Sequence, residues 1–132
     1  MGLDPKHNRK PDDQICAHFL WWGPWGKQNE LVSFENNVKT AALYNFDVMG
    51  IMHTAVDLIS DCNSIIKNYH TGPLMAYPDS GYFQAPNWQF VDIITPQNLL
   101  NFAKLWKTEG MQIIGGCCGL GPEHTSFLTR LK

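Results

Sequence analysis

Two adjacent thiols in a glycine-rich stretch, Gly115-Gly116-Cys117-Cys118-Gly119, are the residues of this chain best suited to chemistry. Neighbours in a regular strand point to opposite faces, so both sulfurs meet one metal ion only where the strand has ended and the backbone turns. The flanking glycines supply that turn, because they permit positive φ and leave space for a ligand beside the main chain. A catalytic zinc takes three protein ligands and keeps one position open. Cys117, Cys118 and a histidine from a neighbouring strand end make such a set. His53, which directly follows the apolar run Val48 to Met52, is the candidate. Other readings stay open at this level: two buried reduced thiols, a histidine satisfied as an ordinary polar group, or a strained vicinal disulfide ill suited to a reducing compartment. Cys16 inside an apolar run and Cys62 on a helical stripe are expected in the core. His124 falls in the first turn of a helix and is expected to fix the loop rather than bind metal. His7, His18 and His70 join no constellation.

The elements that must position these groups alternate along the chain. Ile15 to Trp22 is apolar and aromatic, reads as a buried strand, and is broken by Gly23-Pro24-Trp25-Gly26. Ser33 can cap a helix whose apolar face is Phe34, Val38, Ala41 and Ala42. Val48 to Met52 is the second strand, and Leu58, Cys62, Ile65 and Tyr69 mark a second helix. Leu74 to Tyr77 is a third strand closed by the turn residues Pro78-Asp79-Ser80-Gly81, after which a long loop runs through Trp88. Thr95-Pro96 starts a helix with Leu99, Ala103 and Trp106 inward until Gly110. Met111 to Ile114 is the fourth strand, and a last helix carries Phe127, Leu128 and Leu131. Unalternating apolar strands separated by helices predict an α/β fold of parallel βα units, either an open four-stranded sheet or half of an eight-stranded barrel. In both, function gathers at the carboxyl ends of the strands.

Composition bounds the function. With 132 residues, 44% of them hydrophobic, the chain suits one small domain over 14–132 preceded by a polar mobile arm over 1–13. Ten basic against twelve acidic residues leave no electrostatic footprint for nucleic acid. The apolar runs are too short for a membrane span and the first ten residues too polar for a signal peptide, so the expected location is cytoplasmic. Met1-Gly2 is no myristoylation signal, since Lys6 stands where Ser or Thr is required.

The stretch from Gly115 to His124 resembles the C-terminal Gly-Gly-Cys-Cys-Gly signature of the zinc-dependent homocysteine S-methyltransferases, the family of the betaine-dependent enzyme and of the homocysteine-binding half of cobalamin-dependent methionine synthase. Pro122-Glu123-His124 opens the following helix as in that family. Gly72 to Gly81 resembles its Tyr-Pro-Asn-x-Gly segment, with Asp79 in place of Asn. Gly50-Ile51-Met52-His53 falls where the family writes Gly-Val-Asn-Cys, so His53 stands in place of a cysteine ligand. The resemblance covers about residues 33–132 and implies the C-terminal half of a TIM (βα)8 barrel that in the family runs to about 300 residues. It implies zinc as cofactor, homocysteine and a methyl donor as partners, and methyl transfer to a homocysteine thiolate. Cys117, Cys118 and His53 would be the metal ligands, Tyr77 and Asp79 substrate-binding walls. Trp21, Trp22 and Trp25 would shape the donor side or simply pack. The donor's identity stays open. Self-association or a missing N-terminal half is the expected complement. The alternatives are a non-catalytic zinc-binding fragment or assembly partner, and a plain α/β domain with reduced thiols.

Overall fold

The computed structural model describes residues 18–22, 28–86 and 89–132. The expected arm over 1–13, His7, Cys16 and Trp25 lie outside the described residues, as do the side chains of His18, Trp21 and Trp22. In chain order the elements are β1 (His18–Trp22), α1 (Gln28–Ala42), β2 (Val48–Ala55), a 3-10 turn (Val56–Leu58), α2 (Ile59–Lys67), β3 (Leu74–Asp79), β4 (Tyr82–Gln84), β5 (Gln89–Val91), α3 (Pro96–Thr108), β6 (Met111–Ile114) and α4 (Pro122–Leu128).

Strands β1, β2, β3 and β6 form a sheet in that order, with each neighbouring pair parallel. The fold is therefore α/β, built of parallel βα units. Because the strands are parallel, the segments after β2, β3 and β6 meet at one end of the sheet. Among the described residues no helix is long and apolar enough to cross a membrane.

The helices cover the sheet face that carries Met49, Ile51, Leu74, Ala76 and Met111. Phe34, Val38 and Ala41 of α1, Ile59, Cys62 and Ile66 of α2, and Leu99, Ala103 and Trp106 of α3 complete this core. Trp106 is fully buried and its ring stacks on Phe102 at 5.9 Å between centroids. At the start of α3 the Thr95 side chain accepts from Asn98 N–H at 3.2 Å, so the Thr-Pro helix start behaves as its residue types require.

Several boundaries differ from the sequence reading. Helix α1 begins at Gln28, so Ser33 lies inside it rather than capping it. The buried stripe of α2 is Ile59, Cys62, Asn63 and Ile66, and Tyr69 falls beyond the helix. Asn63 can occupy a buried position because its Nδ2 reaches the carbonyl of Glu109 at 3.4 Å. Strand β3 continues through Pro78 to Asp79, and the loop expected through Trp88 contains β4, which pairs antiparallel with β5 just beyond it. Alternation is too short in those three-residue strands to stand out from a loop.

Candidate metal centre

Strand β2 does not end before His53 but carries it, on a bulge. Met52 is level with Tyr77 and Ala55 with Asp79, so β2 uses one residue more than β3 over that step. An extra residue bends a strand and re-aims its side chains. Here His53 takes φ +53°, a conformation uncommon outside glycine and short polar residues, and Thr54 Oγ1 donates to the Met52 carbonyl at 3.0 Å. Strained backbone of this kind is found where a side chain must face a particular point.

That point lies before the cysteine loop. The β3–β6 ladder runs on past the end of β6, with Gly115 N–H donating to the Ala76 carbonyl at 3.0 Å and Cys117 N–H to the Pro78 carbonyl at 2.8 Å. Ser80 N–H then donates to the Cys118 carbonyl at 3.1 Å. Two glycines permit this close approach. A Cβ on Gly119, which has φ +76°, would sit 2.0 Å from the Ser80 oxygen, and a Cβ on Gly115 would sit 2.6 Å from the Tyr77 ring.

The Cys117 and Cys118 sulfurs are 3.9 Å apart, and His53 Nδ1 lies 3.4 Å from Cys118 Sγ and 4.0 Å from Cys117 Sγ. Tetrahedral ligands at a Zn–S distance of about 2.3 Å and a Zn–N distance of about 2.0 Å stand roughly 3.5 to 3.8 Å from one another. The three side chains thus have the spacing and the donor types of a zinc site with one vacant coordination direction, and together they form a group that can hold a metal ion.

Asp79 borders the same place. Its Oδ2 is 3.5 Å from His53 Nδ1, the nitrogen that faces the sulfurs, and both side chains are about one-fifth exposed. A carboxylate serving only to orient a metal-bound imidazole would approach the other nitrogen. Burial raises the pKa of Asp79, the nearby His53 opposing it. The Cys118 thiol is also raised, first by burial, then by its hydrogen bond with Cys117, by the Cys117 charge and by Asp79. Potential anions crowd this spot, and a cation among them relieves the crowding and favours their ionised forms.

The structure therefore brings His53, Cys117, Cys118 and Asp79 to one place and sets Tyr77 against the start of the cysteine loop. Cys62 is fully buried in the core, with its thiol pushed up to about 12 by burial. His70 lies elsewhere and faces the Pro73 carbonyl at 3.3 Å. From the sequence Ser80 is a turn residue only and Ile94 has no part. Their roles depend on hydrogen bonds across 14 and more residues, for which the chain carries no local signal beyond the helix-opening Pro122-Glu123-His124.

Residues 27–131 match the family model described as homocysteine S-methyltransferase. No curated protein matches the chain.

Proposed function

The chain belongs to the homocysteine S-methyltransferase family, and on that premise we propose that it takes part in zinc-dependent transfer of a methyl group to the thiol of homocysteine, with His53, Cys117 and Cys118 as the metal ligands. The convergence of one imidazole nitrogen on two sulfurs carries this reading. Zinc held there would supply the Lewis acidity that makes a substrate thiol a thiolate at neutral pH.

The remaining work falls to the side chains. Two cysteine thiolates and a neutral imidazole carry two negative charges in total, which balances a divalent cation before substrate enters. The bulge at His53 and the turn at Cys118-Gly119 would hold the three donors together and leave the fourth direction of a tetrahedral metal for substrate. Tyr77, whose ring covers Gly115, and Asp79, beside His53 Nδ1, wall that direction and bind the amino acid whose thiol enters it. Once ionised, the substrate sulfur forms its bond to the donor's electrophilic methyl carbon as the bond to the donor breaks. No covalent bond to the protein is needed.

A second reading, that the chain supplies the metal loop to a larger assembly, is favoured by the sheet order, which leaves β1 and β6 at its edges among the described residues. A cleft of about 520 Å³ lined in part by Met111, Ile114, Leu128 and Leu131 lies beside β6. Unpaired edges and apolar clefts invite association. On this reading a second copy, or the complementary half of a TIM barrel, completes the active unit.

X-ray absorption at the zinc edge tests the site. The expected first shell has two sulfurs near ~2.3 Å and one nitrogen near ~2.0 Å. His53→Ala should weaken zinc binding while Cys62→Ala leaves it unchanged. Three or four sulfurs with no imidazole would refute the ligand set. Homocysteine methylation by the isolated chain, with light scattering for its mass, separates an enzyme from a metal-bearing partner.

A further inference from the structure

Four hydrogen bonds tie the cysteine loop to the segment that follows β5. Ser80 N–H donates to the Cys118 carbonyl at 3.1 Å. Ile94 N–H donates to Ser80 Oγ at 2.8 Å. His124 Nε2 lies 2.7 Å from the Ile94 carbonyl, and Gly121 N–H points at His124 Nδ1 at 3.2 Å. The last contact fixes the tautomer. Nδ1 accepts, so Nε2 carries the proton and donates to Ile94. From Gly121 the main chain leads back through Leu120 and Gly119 to Cys118, which closes the circuit.

We propose that His124 and Ser80 are positioning residues for the metal loop, holding the Cys118-Gly119 peptide in the orientation that keeps both cysteine sulfurs turned toward His53. The inference rests on the reading of that loop as a zinc site. His124 is only 4% exposed and both its ring nitrogens are engaged within the protein, so it positions ligands without being one.

A helix cap alone does not account for this arrangement. Capping α4 needs only the contact from Gly121 N–H to Nδ1. The bond from Nε2 spans 30 residues to Ile94, and that from Ile94 to Ser80 spans 14; neither satisfies a backbone group of α4. What these two bonds hold is Ser80, and Ser80 holds the Cys118 carbonyl. The close approach of Gly119 to the Ser80 oxygen leaves no slack at this joint. Rotation of the peptide after Cys118 would break the Ser80 bond, and movement of Ser80 would break the Ile94 bond. Outer partners of this kind set how much order a metal must impose on its ligands, and their loss costs roughly 10- to 100-fold in affinity.

Two His124 variants separate cap from circuit in the 132-residue chain. The Oδ1 of His124→Asn stands where Nδ1 does and keeps the cap, but its side chain is too short to reach Ile94. The amide nitrogen of His124→Gln stands near Nε2 and can donate to Ile94. Ser80→Ala removes one oxygen and opens the circuit at another link. The probes are zinc affinity by chelator competition, the visible spectrum of the cobalt(II)-loaded chain, and melting of the metal-free chain. The expected result is a roughly 10- to 100-fold loss of zinc affinity and altered cobalt bands in His124→Asn and Ser80→Ala, with substantial recovery in His124→Gln. Metal-free melting temperatures would not follow that order. Wild-type affinity and spectrum in both His124→Asn and Ser80→Ala would overturn the proposal. Losses that follow the metal-free melting temperature, equal in Asn and Gln, would overturn it too. A wild-type chain that takes up neither metal would overturn the zinc reading and the positioning role together, whereas uptake with unaffected variants overturns only the positioning role.

Discussion

Replacing Gly119 by alanine tests how tightly the cysteine loop is held. At φ +76° an L residue costs about 1 to 2 kcal/mol relative to glycine. The new Cβ would also lie 2.0 Å from the Ser80 oxygen and 3.1 Å from its carbonyl carbon, and these backbone atoms cannot swing aside as a side chain could. Relief requires Ser80 to move. That gives up its 3.1 Å bond to the Cys118 carbonyl and strains the neighbouring 2.8 Å bond from Cys117 N–H to Pro78, each worth about 1 kcal/mol. The expected loss is about 3 to 4 kcal/mol, which for a chain of this size lowers the melting temperature by about 10 °C. Gly121 is the internal control. Its φ is −94°, nothing lies within 4 Å of a Cβ built there, and Gly121→Ala costs less than about 1 kcal/mol as a slightly poorer cap. Urea denaturation of the two metal-free variants beside the wild type is the assay, with zinc affinity measured on the same samples. Equal stability of Gly119→Ala and Gly121→Ala would refute the claim that the loop is clamped against β3.

Three further outcomes follow from the same structure. Cys62 is raised from 9.0 to about 12 by burial, so the unfolded chain ionises it first as pH climbs. The folded state is favoured by the protonated thiol below pH 9 and loses about 1.4 kcal/mol per pH unit between there and about 12. The stability gap between wild type and Cys62→Ala, measured by denaturation at several pH values, should therefore narrow above pH 9; a constant gap would refute it. Because burial raises Asp79's pKa, its ionised form disfavours folding at neutral pH. Asp79→Asn should thus leave the metal-free fold at least as stable at pH 7 while weakening zinc binding by roughly 10-fold or more, readable by melting and chelator competition. Thr95→Ala removes the side-chain acceptor at the start of α3 and should cost about 1 kcal/mol in urea denaturation without affecting metal affinity.

The sequence by itself determined the alternation of buried strands and helices along the chain, because buried parallel strands need unbroken apolar runs and amphipathic helices need a stripe of period 3.6; the order of the strands in the sheet came from the structure. Val48 to Met52, Leu74 to Tyr77 and Met111 to Ile114 carry the first signal; Leu99, Ala103 and Trp106 carry the second. It also marked the cysteine loop, since adjacent thiols among glycines are legible without any partner. Short and long-range features were not legible. The β4–β5 ribbon has three residues per strand, too few for alternation to register. Asn63 entered a buried stripe because the Glu109 carbonyl, 46 residues away, was there to meet it. Above all, residue order placed His53 near a strand end but could not aim it. Its direction depends on one extra residue in β2 measured against β3, and so on a register that exists only once the two strands have paired. The same holds for the circuit through Ser80, Ile94 and His124, although the place of His124 in a helix's first turn already pointed to a loop-fixing part. Each is an ordinary polar residue or backbone unit in the chain, and only tertiary packing, which brings the end of β3, the segment before α3 and the start of α4 together, turns them into one clamp on the cysteine pair.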